Sequence, residues 1–321
     1  MSAQPDVSAS FDMHGVEVEV RSNRPELLEL VARRLRFFAR PASSRPAARF
    51  ELRAADRHFV ERPEGRLRSV YEPETGEVVY HEGRDELYID YGRVRALCRL
   101  AEGDVVVSVL EPTAEAAWAA TRPLVTLPLL EVLKRHGLYG VHAAGLATGS
   151  RGVALPGGSG SGKTTVALAL ARGGFGFLGD DMLFLSANGE EPLLLAFPDE
   201  LDITDSTAAF FPGVEGDLRD ELGTAKRQLA AERSGGELVP RARPSLLLFP
   251  RIGSGAQTSV EPCAADEALR ELVPNVLLTD PVSSQRHLDV LGRLARDTRC
   301  FRLSLARDLE ELPSLVGGLI G

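Results

Sequence analysis

The chain has 321 residues, 44% of them hydrophobic and 26% charged, a balance typical of a globular protein large enough for two domains. The formal net charge of −9, with no basic run interleaved with aromatic residues, argues against a nucleic-acid-binding surface. There is no signal-peptide pattern, no apolar run of membrane-spanning length, and no metal-ligand spacing among the three cysteines. We expect a cytoplasmic protein with reduced thiols that binds neither nucleic acid nor membrane.

The first third of the chain alternates short strand patterns with turns. Residues 1–10 are predicted to be disordered, and residues 11–112 to form a smaller N-terminal α+β domain dominated by antiparallel strands. Its helix is predicted over Pro25–Phe38. Strands are predicted at 16–20, 49–52, 68–71, 78–81, 87–91, 94–100 and 104–110, with hairpin turns at 74–76 and 102–103. The domain carries no chemical motif, so substrate presentation, oligomerisation and scaffolding stay open.

A helical pattern over residues 113–136, interrupted by Pro123 and Pro128, is predicted to connect this domain to a second one over residues 137–321. The second domain opens with two apolar runs, 141–148 and 152–156, which predict a hairpin. In common parallel-sheet NTPases the strand before a phosphate-binding loop is not usually the second arm of a tight hairpin.

A phosphate-binding loop of the Walker A type follows this hairpin without a mismatch to G-x-x-x-x-G-K-[ST]. Its glycines let backbone N–H groups point at phosphate oxygens, Lys163 is expected to reach the β- and γ-phosphates, and Thr164 to hold Mg²⁺. Lys163 is one of only three lysines in the chain, with Lys134 and Lys226. The alternative is a Gly/Ser-rich turn before a helix. The predicted nucleotide-binding residues are Gly157, Gly158, Ser159, Gly160, Ser161, Gly162, Lys163, Thr164 and Thr165.

A carboxylate pair, Asp180 and Asp181, follows at a distance that leaves room for one short helix, a turn and one strand. One carboxylate beside a triphosphate can hold Mg²⁺ and the other can accept the proton of an attacking hydroxyl. Both can act only if the backbone turns, which Gly179 allows. The alternative is that one of them caps a turn and faces solvent.

The rest of the chain continues the α/β pattern. Residues 213–240 are charged and weakly periodic, and we predict a mobile loop there. Strands are predicted at 175–178, 182–186, 192–197, 245–249 and 299–305, and helices at 265–273, 283–297 and 309–319.

The stretch from Val141-His142-Ala-Ala-Gly through the loop to Gly179-Asp180-Asp181 resembles the catalytic domain of HPr kinase/phosphorylase, over roughly residues 138–200. The nearest likeness is to the HPr-kinase-related proteins of bacterial peptide-modification loci. The resemblance implies the fold shared with phosphoenolpyruvate carboxykinases. It also implies ATP and Mg²⁺ as cofactors, and it is compatible with a homo-oligomer because the kinase family forms symmetric oligomers.

Carried over residue by residue, the resemblance implies Asp180 as the general base, Asp181 as a Mg²⁺ contact and His142 beside the phosphate and metal. A lone His at a strand start is otherwise more often a structural hydrogen bonder. The family's second acidic ligand lies in an Arg- and Gly-rich motif that this chain lacks. Glu200 is the candidate in its place, and the reverse, phosphorylase-type reaction has no support.

Lys226 is the best candidate to close over the γ-phosphate, because lysine is so scarce here. Arg227, Arg241 and Arg243 are further candidates, and a solvated charged loop is the alternative for each.

The leading functional hypothesis is a serine kinase that transfers the γ-phosphate of ATP to a hydroxyl of a protein or peptide. A second is a catalytically silent ATP-binding regulatory or scaffold module. A third is phosphotransfer to a small carboxylic acid, as in the carboxykinases, although no Arg cluster for such a substrate is evident.

Overall fold

The computed structural model describes residues 6–42, 45–72, 76–110, 113–187, 192–214, 219–220, 226–253, 255 and 257–321. They form a mixed α/β protein with two large mixed sheets. The chain divides into two compact units. The first contains the residues up to His136 together with Leu278–Ser283, and the second contains Gly137–Leu277 and Ser284–Gly321.

The first unit contains a mixed sheet whose strand order is β3-β1-β2-β4-β9-β8-β7-β6-β5 in the part of the chain described. The pairs β2–β4 and β4–β9 are parallel and the others antiparallel. The strands are β1 (Val7–Met13), β2 (Val16–Ser22), β3 (Ala39–Arg40), β4 (Ala48–Ala55), β5 (Leu67–Tyr71), β6 (Glu77–His81), β7 (Glu86–Asp90), β8 (Val94–Arg99) and β9 (Asp104–Leu110). Residues 74 and 75 of the predicted turn lie outside the described residues.

The prediction of disorder over residues 1–10 is wrong for residues 7–10, which belong to β1. This strand pairs along its whole length with β2, from Val7↔Ser22 to Met13↔Val16. Its inward residues Phe11 and Met13 are buried, and that burial stabilises the strand.

The α-helices that lie wholly within the described part of the first unit are α1 (Pro25–Arg34), α2 (Ala114–Thr121) and α3 (Pro123–Arg135). The predicted break is confirmed, because Pro123 occupies the first turn of α3, where its missing N–H costs nothing. The interruption predicted at Pro128 is wrong, because Pro128 lies buried inside α3. Since α2 packs on β8 and β9, the segment predicted as a connector is part of the first unit.

A buried ion cluster fastens residues 278–283 to the first unit. The Glu131 carboxylate, fully buried, accepts from Lys134 Nζ at 2.6 Å and from the Thr279 hydroxyl at 2.7 Å. Arg135 binds Asp85 Oδ1 at 2.7 Å and Asp280 Oδ2 at 3.0 Å. Lys134, one of the scarce lysines, therefore has a structural partner.

The second unit contains a sheet ordered β10-β14-β15-β19-β12-β11-β13, with β21 beside β19 and β20 beside β21, among the described residues. The predicted hairpin is β11–β12, closed by Gly149 at φ 57° and Ser150. The strands are β10 (Leu138–Val141), β11 (Ala143–Thr148), β12 (Arg151–Pro156), β13 (Gly176–Gly179), β14 (Leu183–Ser186), β15 (Leu193–Leu195), β19 (Arg241–Ile252), β20 (Ser259–Pro262) and β21 (Arg299–Leu305).

β12, β13, β19 and β21 run in one direction. β12 is parallel to β19, and β19 is parallel to β21. β13 has the same direction as β12 because both are antiparallel to β11. Their carboxyl ends therefore share one side of the sheet, which we call the carboxyl edge.

Helices cover the sheet. α4 (Lys163–Arg172) packs on β11, β12 and β13 and against α8 (Leu312–Ile320). Buried side chains of α6 (Ala265–Leu272) and α7 (Pro281–Asp297) join a core cluster with strand residues. No helix among the described residues is both long and apolar enough to cross a bilayer.

A small sheet lies outside the main one. It consists of β16 (Leu201–Ile203), β17 (Arg219–Asp220) and β18 (Arg227–Leu229), and α5 (Asp205–Ala208) follows β16. The mobile loop predicted over 213–240 thus contains β17 and β18, so the prediction is wrong for those residues. The weak periodicity of this segment did not predict a strand, and β18 is stabilised by pairing with β16, which lies earlier in the chain. Residues 215–218 and 221–225 lie outside the described residues.

Candidate functional site at the carboxyl edge

A glycine-rich loop, Gly157–Gly162, joins the carboxyl end of β12 to the start of α4. Gly160 and Gly162 have left-handed φ values of 79° and 99°, which side chains rarely adopt. A Cβ on Gly162 would also lie 2.6 Å from Leu305 Cδ1, so a larger residue there would require the Leu305 side chain to shift. The loop leaves the first-turn N–H groups of α4 at the carboxyl edge, where an anion can accept from them.

Lys163, the first residue of α4, is buried beside the loop, with 8% of its surface exposed. Its ammonium donates to Gly157 O at 2.6 Å and to Gly158 O at 3.1 Å, and lies 3.1 Å from His142 Nε2. Burial lowers the pKa of Lys163, and the charge of Lys226 lowers it further, while Asp180 and Asp181 oppose both effects.

His142 lies between β10 and β11, at the same edge as the loop. Its Nδ1 is 2.9 Å from the backbone carbonyl of Asp181 and 3.1 Å from Asp181 Oδ1. If Nε2 accepts from Lys163, the neutral ring carries its proton on Nδ1 and donates it toward Asp181. The ring thereby links the lysine to the carboxylate turn.

The carboxylate pair follows β13, which ends at Gly179, and the chain bends at Asp180 and Asp181. A Cβ on Gly179 would lie 2.6 Å from Phe197 O and 2.9 Å from Met182 O, so no larger residue fits. After the turn Asp180 is buried and Asp181 is exposed, with 68% of its side chain accessible. Both side chains nevertheless contact the site, through Thr164 and His142 respectively.

Asp180 is the most perturbed carboxylate of the site. Its Oδ2 accepts from the Thr164 hydroxyl at 2.8 Å, while its Oδ1 is buried and has no hydrogen-bond partner among the described residues. Burial raises the pKa of Asp180 to about 7, with Asp181 and Asp202 adding to the rise and Thr164 and Lys163 opposing it. Such a group changes protonation near neutral pH.

The remaining residues predicted to bind nucleotide have different surroundings. The Thr165 hydroxyl lies 3.2 Å from the Thr207 hydroxyl, which joins α4 to α5. The Ser161 hydroxyl is buried without a hydrogen-bond partner in the described part of the chain. Ser159 is exposed, and a Cβ on Gly158 would meet nothing within 4 Å.

Glu200 is buried just before β16, with its backbone N–H donating to Asp199 Oδ1 at 2.8 Å. The charge in this segment that acts on Asp180 is that of Asp202, a residue sequence reasoning missed. Asp202 lies 3.6 Å from Lys226 Nζ, and the charge of Lys226 acts on Lys163. No motif in the sequence distinguishes Asp202 from the acidic residues around it.

Two other predicted cations are not at this edge. Arg241 and Arg243 begin β19, and Arg243 pairs in register with Arg151, the first residue of β12. Because β12 and β19 are parallel, this is the end of the strands opposite to the loop, so the prediction for these two residues is wrong. Arg227 instead pairs with Asp205 at 2.8 Å.

For a divalent cation, the site offers the Thr164 hydroxyl and the carboxylates of Asp180 and Asp181. Among the described residues there is no preformed group of three or more His, Cys, Asp or Glu side chains that could hold a metal. Mg²⁺ usually takes only one or two protein carboxylates and completes its shell with water and substrate phosphates. The Thr164 hydroxyl and the exposed Asp181 carboxylate fit that mode.

Comparisons with known proteins add a distant structural likeness. No family model and no curated protein matches the sequence. The structure is similar to that of the Hpr(Ser) kinase/phosphatase from Coxiella burnetii, with 15% identity over 56% of this chain and 93% of the other, and a TM-score of 0.28. A likeness at that level establishes neither fold family nor activity.

Proposed function

We propose that this protein is an ATP-dependent, Mg²⁺-requiring kinase that transfers the γ-phosphate to the hydroxyl of a Ser in a protein or peptide. The observation that carries the proposal is the 2.8 Å hydrogen bond from Thr164 to Asp180. It places a hydroxyl and a carboxylate together beside the glycine-rich loop, where nucleotide phosphates, metal and attacking group must meet.

The loop and Lys163 bind the triphosphate in this proposal. Backbone N–H groups of Gly157–Gly162 and of the first turn of α4 donate to phosphate oxygens. Lys163 exchanges the carbonyls of Gly157 and Gly158 for phosphate oxygens, since all three contacts of its ammonium are now within the protein. Lys226, near enough to act on Lys163, contributes a second positive charge at the γ-phosphate.

Thr164 and Asp181 hold Mg²⁺ in this proposal, with Glu200 as a further candidate ligand. When bound, the metal neutralises charge on the β- and γ-phosphates. Asp181 suits this task because its carboxylate is exposed at the edge and its backbone is held by His142.

Asp180 is the general base. Its raised pKa of about 7 makes it a better proton acceptor than an ordinary aspartate, and its unpartnered Oδ1 is available to a hydroxyl. The acceptor oxygen forms a bond to the γ-phosphorus, its proton passes to Asp180, and the bond from that phosphorus to the bridging oxygen of ADP breaks.

The test is ATP turnover by purified protein with Ser-containing peptides, followed by mass spectrometry for added phosphate. Transfer that requires Mg²⁺ and is lost in Asp180→Asn supports the kinase. Nucleotide binding without transfer to any peptide would replace it by the regulatory module. Absence of nucleotide binding would remove both functions.

A further inference from the structure

The position of Ile252 is not explained by the kinase chemistry. Ile252 is the last residue of β19, and 74% of its surface is exposed, more than for Val282 (64%) or Tyr71 (51%). Single exposed apolar residues are common on protein surfaces. This one ends a strand at the carboxyl edge, the side of an α/β sheet where ligands bind.

Ile252 lies beside the glycine-rich loop. A Cβ placed on Gly162 would be 4.0 Å from Ile252 Cγ1 and 2.6 Å from Leu305 Cδ1. Ile252 and Leu305 are register partners in the parallel pair β19–β21, and the backbone N–H of Gly253 donates to Leu305 O at 2.8 Å. Leu305 is 6% exposed, so Ile252 presents most of the accessible surface of the pair. We call these two side chains the apolar ledge.

Strand order sets the ledge apart from the reacting groups. β12 carries the loop and lies between β11 and β19. On the β11 side the next strand is β13, which ends at the carboxylate pair, and His142 precedes β11. On the β19 side the next strand is β21, and these two strands end in the apolar ledge.

We propose that the apolar ledge contacts the base of the nucleoside triphosphate, an inference that rests on the proposed function. A triphosphate bound across the loop with its γ-phosphate toward Asp180 directs its ribose and base to the opposite side, where β19 and β21 end. A purine has a flat apolar face, and an aliphatic surface binds such a face by excluding water.

The apolar ledge contributes to the affinity for the nucleotide but not to specificity for one base. Its side chains are aliphatic and carry no donor or acceptor to read the base edge. We therefore expect the affinities for ATP and GTP to fall by similar factors when a side chain of the apolar ledge is shortened. A phosphate chain without a base gains nothing from it.

The experiment compares Mg-ATP with Mg-tripolyphosphate, which lacks ribose and base, by calorimetry on the full chain. In Ile252→Ala we expect ATP to bind about threefold to tenfold more weakly, the loss appropriate to a partly buried aliphatic side chain, with tripolyphosphate binding unchanged. Val282→Ala, which shortens another exposed β-branched residue, is the matched control and should alter neither ligand. Ile252→Trp, with a larger flat face, should tighten ATP alone.

The proposal is overturned if Ile252→Ala binds ATP as tightly as the wild type, or if it loses affinity for both ligands equally. Those outcomes leave the kinase proposal intact. If the wild type binds neither ligand, the proposed function itself fails, and the ledge with it.

Discussion

The hydroxyl of Thr164 donates to the carboxylate of Asp180 across 2.8 Å, which joins the first turn of α4 to the end of β13. Two segments that are 16 residues apart in the chain thereby place their polar groups together at the carboxyl edge. The bond also leaves the other oxygen of Asp180 unpartnered among the described residues. A residue at position 180 that can still accept the hydrogen bond from Thr164 but cannot take a proton therefore tests the role of Asp180 as a base separately from its structural contact.

Asp180→Asn should keep nucleotide binding and lose transfer. The amide can still accept from Thr164, but it cannot take a proton, and loss of a general base typically costs 10²–10⁴-fold in rate. Calorimetry with Mg-ATP and mass spectrometry of the acceptor measure the two properties separately. Transfer in this variant within threefold of the wild type would show that another group is the base.

The stability of the metal-free protein should fall as the pH rises from about 4 to about 7. In this window folded Asp180, whose pKa is raised to about 7 by burial, holds a proton that the unfolded chain has released. Because the folded state binds more protons, raising the pH favours unfolding, by up to roughly 4 kcal/mol in full. Urea unfolding at several pH values, with Asp180→Asn as the reference, isolates this contribution. A pH-independent difference between the two proteins would contradict it.

His142→Ala should reduce transfer more than it weakens nucleotide binding. Without the ring, Lys163 loses the contact at Nε2 and the Asp181 backbone loses the contact at Nδ1, so both groups are less well positioned. We expect a fall in kcat of about tenfold to a hundredfold, with a change in KM for ATP of less than threefold. His142→Gln, which has both an acceptor and a donor, should recover part of kcat. Equal losses in both variants would point to a role in proton transfer instead.

Lys226→Ala should lower kcat, and Arg241→Ala should not. Lys226 lies beside Asp202 and acts on Lys163, whereas Arg241 begins β19 at the end opposite to the loop. Removing a cation that stabilises transition-state charge costs about 10²-fold or more in kcat. Steady-state kinetics of both variants decide the matter. A Lys226 variant as active as the Arg241 variant would show that Lys226 has no role in phosphate transfer.

Gly179→Ala should destabilise the protein and disturb the site, because its Cβ would lie 2.6 Å from the carbonyl oxygen of Phe197. That carbonyl is backbone and cannot move away cheaply, so we expect a loss of about 1–3 kcal/mol, typical of overpacking. Gly317→Ala, where a Cβ meets nothing within 4 Å, is the control. Thermal unfolding compares the two variants. An unchanged midpoint for Gly179→Ala would mean that the turn can relax.

Local sequence patterns predicted the helices and strands well where a strand or helix periodicity was clear. The strands from β4 to β9, the hairpin before the loop and the proline break between α2 and α3 follow from alternation, turns and proline. They also predicted that the backbone would turn at the carboxylate pair, where the chain bends directly after β13.

Long-range pairing could not be predicted in the same way. Nothing local shows that β1 is paired with β2, that residues 278–283 join the first unit, or that Arg241 lies at the end of β19 opposite to the loop. Asp202 was missed because its relevance depends on where β16 lies relative to Asp180.

Residues 278–283 bear on how the chain can be divided. The first unit is discontinuous, so a fragment ending at His136 would lack Thr279 and Asp280, which bind Glu131 and Arg135. Such a fragment would lose partners of a fully buried carboxylate, a costly change. A cut after residue 136 therefore does not yield two self-sufficient pieces. Expressing both pieces together, so that the missing strip of six residues is supplied in trans, should recover the first unit better than expressing the N-terminal piece alone.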